Sequence, residues 1–260
     1  MRVGCVAVAL VTLLGDTGGG AASSLGPTPQ PSTPAATSGP PAQESPPLAS
    51  KSLECLSRWY DVKVDASSLT LPDGRHLPLE SVSATFTVPY RTGPIRPVID
   101  EHEDPGRVRI EALFDATYGD SPKKVEAQLV PVTIGPNTVR VHRRIAAPLR
   151  RVAARLDARE PALRKLGGTF VWRTIAGTSN RSAHSWGIAI DLDPALSEYW
   201  RNDKPPRWHN RIPQSIVDAF EAEGFIWGGR WFHYDTMHFE YRPELTDPSC
   251  PDGSRDSGAQ

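Results

Sequence analysis

Two patterns of hydrophobic positions divide the chain near residue 135. Before this point, apolar and polar residues alternate in SVSATFTVPY (81–90) and RVRIEALFDATYG (107–119), and KVEAQLVPVTI (124–134) is apolar and β-branched. A period of two is typical of half-buried strands, and the PDG, TGP and EDPG sequences indicate turns. Residues 55–135 are therefore predicted to form a β-rich part.

From Asn137 the apolar residues follow a helical spacing, with arginines between them. The apolar positions are Val139, Ile145, Leu149, Val152 and Leu156. This pattern predicts an amphipathic helix, and Pro148 is expected to limit or kink it.

Strands and helices are mixed over the remainder of the chain. GTFVWRTI (168–175), WGIAIDLD (186–193) and MHFEYRP (237–243) are predicted strands, and IPQSIVDAFEAEGF (212–225) is a predicted helix closed by Gly224. Asp193 is expected to cap a helix that has Pro194 at its first position. Because no regular β-α-β repeat is present, we expect an α+β fold with a core at 136–247.

The two ends of the chain have a different composition. Residues 1–22 place one arginine before a short apolar run and then small residues, which predicts a signal peptide; a retained anchor is the alternative. Residues 23–54 are rich in Pro, Ser and Thr, which predicts a disordered linker. Residues 248–260 form a polar tail. The expected location is the periplasm, the cell envelope or the outside of the cell, with no membrane span after signal removal.

The balance of charge narrows the classes of partner. The chain has 29 Lys and Arg against 30 Asp and Glu, a formal net charge of -1, so we expect no nucleic-acid partner. The oligomeric state is left open.

Removal of the leader would leave Cys55 and Cys250, and an isolated pair in an exported protein indicates a disulfide. Two unrelated thiols are the alternative.

Candidate chemistry lies in RSAHSWGIAIDLD (181–193) and DTMH (235–238). Zinc hydrolases use three protein ligands, commonly histidine and a carboxylate, and leave a fourth position for water. His184, Asp191 and His238 supply this set. Each of them alone is more often a surface residue, a cap or an ion-pair partner, so the prediction depends on their combination.

These residues also resemble a known family. SAHSWGIAID fits S-x-H-x-x-G-x-A-x-D and DTMH fits [DE]-x-x-H, a signature similar to that of the zinc D-alanyl-D-alanine carboxypeptidase and L-alanyl-D-glutamate peptidase family. The resemblance covers about residues 170–243 and implies the hedgehog/DD-peptidase fold. It also implies one catalytic zinc ion on His184, Asp191 and His238, with Asp235 as general base. Arg173 would contact the substrate or the developing oxyanion, and Arg181 is its rival.

Further residues near the motifs are weaker candidates. Positions 235 and 238 of a regular strand face opposite sides, so a bulge or turn is expected at Thr236–Met237. Glu240 is a candidate partner of His238. Ser182 suits the turn before His184. His233 is either a transition-state donor or a packed side chain.

The expected partner is a peptidoglycan stem peptide. Asp rather than Glu in the second motif resembles the L-alanyl-D-glutamate endopeptidase branch. A D-alanyl-D-alanine carboxypeptidase is the alternative enzyme, and a catalytically silent zinc-binding or wall-binding module is the alternative of another class.

Overall fold

The computed structural model describes residues 47–65, 68–102 and 104–251. The predicted signal peptide, most of the predicted linker and residues 252–260 lie outside them. The described residues form the helices α1 Pro47–Trp59, α2 Leu79–Ala84, α3 Glu111–Tyr118, α4 Pro122–Glu126, α5 Arg143–Arg155, α6 Gln214–Glu221 and α7 Pro243–Thr246. Their strands are β1 Lys63–Val64, β2 Ser68–Thr70, β3 His76–Pro78, β4 Leu129–Ile134, β5 Asn137–His142, β6 Ala189–Asp191, β7 Phe225–Trp227 and β8 His238–Tyr241.

The sheet that carries the motifs is antiparallel, with β8 between β6 and β7. Its register places Asp191 directly opposite His238. On β8, Phe239 is buried and stacks on Phe220 of α6, with ring centroids 4.1 Å apart. Burial of the central strand fixes this register, because a slip by one residue would turn His238 to the opposite face.

The hairpin β4–β5 precedes α5, and the boundary placed at residue 135 lies within it. The two strands pair from Leu129 to His142. The helix prediction was wrong at its start, because residues 137–142 form β5 and α5 begins at Arg143. Pro148 does not end the helix, since α5 continues through it to Arg155. Ile145, Leu149 and Val152 are buried on one face, and this packing supports the helix despite the missing N–H.

The expectation of a β-rich part at 55–135 was wrong. Residues 79–84 and 111–118 are helical, and β4 is the one predicted strand of this part that forms. Leu113, Phe114, Thr117 and Tyr118 are buried on α3, so the apolar positions of that segment also satisfy a helical period. The α+β class is confirmed, with helices in both parts of the chain. The strand predicted at 168–175 is reduced to isolated bridges at Gly168 and Thr174.

The described part of the chain begins with a helix rather than with linker. α1 starts at Pro47 and buries Ser52, Leu53 and Leu56, so the linker expected to run to residue 54 ends earlier. Cys55 on α1 forms a disulfide with Cys250, with Cα atoms 5.3 Å apart. Residue 250 is therefore held against the fold rather than lying in a free tail. No helix in the described ranges is both long enough and apolar enough to span a membrane.

Candidate active site

Three side-chain atoms converge at the edge of the β6–β8 pair. His184 Nε2 lies 3.1 Å from Asp191 Oδ1 and 3.2 Å from His238 Nδ1. His238 Nδ1 lies 3.0 Å from the same Asp191 oxygen. His184 and His238 are buried and Asp191 is largely buried, so the three atoms form a small triangle shielded from bulk water.

A short 3₁₀ helix, Ala183–Trp186, positions His184 over the sheet. It ends at Gly187, whose φ of +65° is a left-handed conformation that favours glycine. A Cβ at this position would also approach Leu129 Cδ2 to 2.7 Å. Gly187 therefore allows the chain to turn directly from the helix into β6 and Asp191.

Backbone and side-chain partners set the tautomers of both histidines. His184 Nδ1 lies 3.2 Å from the carbonyl of Thr169, to which it can only donate. His238 Nε2 lies 3.1 Å from Glu240 Oε2 and donates to this carboxylate. The other nitrogen of each ring, His184 Nε2 and His238 Nδ1, then carries a lone pair that points into the triangle.

The triangle fits a cation such as Zn²⁺. Two imidazole lone pairs and one carboxylate oxygen are three acceptors with no proton among them, which is a favourable arrangement only when a cation lies between them. Atoms bound to a tetrahedral zinc ion at about 2.0–2.1 Å lie roughly 3.3 Å apart, close to the separations seen here. Manganese or cobalt would suit the same donors.

Without a cation, the three groups respond by sharing protons. Burial disfavours the charged form of His238, but hydrogen bonds to Asp191 and Glu240 outweigh it and raise the pKa of His238 to about 10. Burial likewise opposes ionisation of Asp191, yet His184 and His238 hold the pKa of this carboxyl well below its usual range. The pocket of acceptors therefore binds positive charge, as a proton or as a metal ion.

Asp235 lies beside the triangle on a turn. The His238 N–H donates to Asp235 O at 3.2 Å, and residues 236–237 form a turn, as predicted from the spacing of the motif. Gly228 packs so closely against this turn that a Cβ there would lie 2.4 Å from Asp235 O. The turn brings Asp235 to the same pocket as His238, although the two residues are three positions apart in the sequence.

The carboxylate of Asp235 is poised to exchange a proton. Its Oδ1 is buried and has no hydrogen-bond partner among the described residues. Burial, opposed by His238, raises the pKa of Asp235 to about 6. Asp235, His184 and His238 all line one pocket of about 270 Å³.

The other predicted residues differ in their relation to this pocket. Ser182, Arg173 and His233 line it, and Arg173 is exposed with Nη1 3.4 Å from Thr174 O. His233 Nδ1 is bonded to Asp104. Arg181 does not line it.

Arg181 belongs to a structural cluster instead. Its guanidinium pairs with Asp115 and lies 4.6 Å from the ring centre of Trp172. It also lies 5.2 Å from the ring centre of Trp186, which is fully buried. With its charge paired and its planar face covered by indole rings, Arg181 is oriented toward α3 rather than toward the pocket.

Glu240 is fully buried and joins His238 to two arginines. Arg109 Nη2 donates to the Glu240 oxygen that also accepts from His238, and Arg242 Nη1 donates to the other oxygen at 3.3 Å. Burial opposes ionisation of Glu240, but Arg109 and His238 hold the pKa of its carboxyl well below its usual range. Glu240 is thus an anion that orients the His238 ring.

Sequence reasoning missed Arg109. It lies in a segment predicted as a strand, 129 positions before His238, and no local signal marks it. Trp231 also lines the pocket. Only the fold brings both side chains to His238.

Two histidines and a carboxylate around one point, beside a second carboxylate whose Oδ1 has no partner among the described residues, match the donor set that metal-dependent hydrolases use. Residues 176–241 match a family model described as D-alanyl-D-alanine carboxypeptidase, so the resemblance to this peptidase family is confirmed over that segment. The segment is about a quarter of the chain and contains the three metal-ligand candidates and Asp235. A comparison with solved structures finds no match, and the hedgehog/DD-peptidase fold stays a prediction.

Proposed function

We propose that the protein is a zinc metallopeptidase that hydrolyses peptidoglycan stem peptides in an exported location. The observation that carries the proposal is the carboxyl group of Asp235, which lines the same pocket as the triangle of acceptors and whose buried Oδ1 has no partner among the described residues. A purely structural metal site closes its fourth position with protein and does not need such a group. The match to a peptidase family model also supports peptidase activity.

Each part of the site has a defined chemical task. Zinc held by His184, Asp191 and His238 would polarise the scissile carbonyl and lower the pKa of water. Asp235 accepts the proton of the attacking water and returns it to the leaving amine. In this proposal Arg173, which is exposed and lines the pocket, contacts the substrate or the developing oxyanion.

The bond we propose is L-alanyl-D-glutamate. The support is the aspartate in the DTMH motif, which resembles the endopeptidase branch of the family. D-Alanyl-D-alanine carboxypeptidase activity is the second candidate, favoured by the description of the matching family model. Asp and Glu are equivalent bases that differ in reach by one methylene group. The reaction product must therefore be identified to distinguish the endopeptidase from the carboxypeptidase.

The test is mass spectrometry of purified muropeptides incubated with the zinc-loaded protein. Release of the stem at L-alanyl-D-glutamate would support the endopeptidase, and loss of one terminal alanine would support the carboxypeptidase. The matched control is Asp235→Asn, which keeps the size of the side chain and the three ligands. We expect it to bind zinc normally and to be at least about 100-fold less active.

A silent zinc-binding or wall-binding module would behave differently. It would retain zinc and bind muropeptides or intact peptidoglycan, while neither the parent protein nor Asp235→Asn released any product. That result, across a broad muropeptide set, would overturn the peptidase proposal.

A further inference from the structure

The pocket beside His238 contains an unusual concentration of unpaired polar atoms. Among the described residues, buried side-chain nitrogen or oxygen atoms without a hydrogen-bond partner occur in Thr85, Arg109, Thr117, Trp231 and Asp235. Arg109, Trp231 and Asp235 line this pocket. Buried polar atoms are normally paired, because an unpaired one loses its hydration without compensation. The proposed role of Asp235 as general base accounts for its unpaired oxygen. It does not account for the unpaired donors of Arg109 and Trp231.

Arg109 is held at one end and unpaired at the other. Its side chain is only 4% exposed, and Nη2 donates to Glu240. Nε and Nη1 have no partner in the described part of the chain. The bond to Glu240 fixes the plane of the guanidinium, so the unpaired donors are already oriented before a ligand arrives.

Trp231 contributes a neutral donor to the lining of the same pocket. Its ring centre lies 5.5 Å from that of His238, and its Nε1–H is buried and has no partner among the described residues. The ring also lies against Gly106, where a Cβ would come within 2.1 Å of Trp231 Cζ2. The segment that carries Arg109 is therefore in direct contact with Trp231.

Arg109 and Trp231 offer hydrogen-bond donors only, and one of them is positively charged. The chemistry that satisfies both is an anion with acceptor oxygens, and a carboxylate matches the planar fork of a guanidinium. Glu240 does not meet this need, because its oxygens already accept from His238, Arg109 and Arg242. The ligand must come through the pocket.

We propose that Arg109 and Trp231 form a subsite for the free α-carboxylate of the residue on the leaving side of the scissile bond. This inference rests on the proposed peptidase function. In the stem peptide, D-glutamate continues through its side-chain carboxyl and keeps its α-carboxylate, and a terminal D-alanine keeps its own. An ordinary peptide has a neutral amide at that position. The subsite therefore selects stem peptides over ordinary peptides, whichever of the two bonds is cleaved.

Arg109 and Arg173 then have separate roles. Arg173 is exposed, whereas Arg109 is buried beside a metal-ligand candidate. A buried guanidinium discriminates strongly against an uncharged ligand, because such a ligand leaves the donors unpaired.

Matched substrates test the subsite directly. One pair is a stem peptide with a free D-glutamate α-carboxylate and the same peptide with an α-carboxamide. The other pair is diacetyl-L-lysyl-D-alanyl-D-alanine and its C-terminal amide. For the bond that the protein cleaves, we expect kcat/KM for the acid to exceed that for the amide by about 100-fold.

Conservative variants assign the preference to the two residues. Trp231→Phe keeps an aromatic ring but removes the Nε1–H donor together with part of the indole, and Arg109→Lys keeps the charge beside Glu240. Both are expected to reduce the ratio of acid cleavage to amide cleavage at least about tenfold, whatever their effect on the two rates separately. Arg173→Lys is the contrast, which should lower both rates together. Zinc content is measured in each variant to detect a damaged metal site.

Equal cleavage of acid and amide by the parent protein would overturn the subsite, as would equal loss of both activities in the two variants. If the parent cleaves none of the four peptides, the peptidase proposal fails and binding decides the subsite separately. The probes are N-acetyl-D-alanine and its amide, titrated calorimetrically into zinc-loaded Asp235→Asn protein. Binding of the acid alone, weakened by Trp231→Phe, would support the subsite, and equal or absent binding would overturn it.

Discussion

His238 donates its Nε2–H to Glu240 Oε2 at 3.1 Å, across two positions of the same strand. Alternate residues of a strand share a face, so a metal-ligand candidate and its orienting anion lie side by side on β8. The carboxylate continues to Arg242, which in turn donates to Glu244 at 2.5 Å. Tyr60 donates to Glu244 at 2.7 Å, so a buried polar network links the ligand to the N-terminal part of the chain.

Loss of the Glu240 charge should weaken metal binding. Glu240→Gln leaves the buried Arg109 guanidinium without its anion, takes from Arg242 one of its two carboxylate partners, and removes the charge that orients His238. Partners of this kind typically change metal affinity by about 10–100-fold, and we expect a decrease in this range by chelator competition. Glu244→Gln is the matched control, because it also bonds Arg242 but does not touch His238. An equal decrease in both variants would show that only the stability of the network matters.

Metal binding should release a proton. In the metal-free protein the pKa of His238 is raised to about 10, so its Nδ1 is protonated at neutral pH. A metal ion must displace that proton, and the apparent association constant should rise about tenfold per pH unit between pH 7 and 9. Chelator competition at several pH values measures the slope. A constant affinity over this range would contradict a protonated His238.

Asp235→Asn should stabilise the metal-free protein at neutral and alkaline pH. The folded pKa of Asp235 is about 6, above the ordinary value of 3.8 for an aspartate, so ionisation disfavours the fold. The penalty is absent below the unfolded pKa and is complete above the folded one. We expect the thermal midpoint of the variant to exceed that of the parent by roughly 5 °C at pH 8. At pH 4 the difference should largely disappear.

Removal of the disulfide should lower stability without altering the ligand triangle. The Cys55–Cys250 bond closes a loop with a sequence separation of 195. On the chain-entropy model, a loop of this length contributes about 5 kcal/mol to the free energy of unfolding. The Cys55→Ser/Cys250→Ser double variant should unfold at lower urea concentration while binding zinc with unchanged affinity at 25 °C. An unchanged urea midpoint would contradict this expectation.

The sequence indicated the metal-ligand candidates because their spacing reflects local geometry. His184 and Asp191 are separated by one 3₁₀ turn and one short strand, and Asp235 and His238 by one turn. The turn at 236–237 followed from the face rule of strands alone. Such features are encoded within about ten residues, so a motif is sufficient to identify them.

Features that depend on long-range contacts were not predicted. The segment around Leu113 satisfies both a period of two and a helical period, and its burial against the core decides for the helix. Arg109 and Glu240 are 131 residues apart, and no local sequence pattern at either position indicates their hydrogen bond. Arg181 was a candidate because it stands beside the motif, but Asp115 and two tryptophans hold it elsewhere.

Because of the buried network from Tyr60 to His238, the segment that carries the motifs does not contain everything that the site needs. Residues 176–241 carry the three candidate ligands and the base, yet Arg109, Thr169 and Glu244 lie outside them. Grafting the matched segment into another scaffold would transfer the donors but leave the His184 and His238 rings and the Glu240 charge without these supports. The unit that evolution or engineering must move as a whole is the fold from α1 to α7.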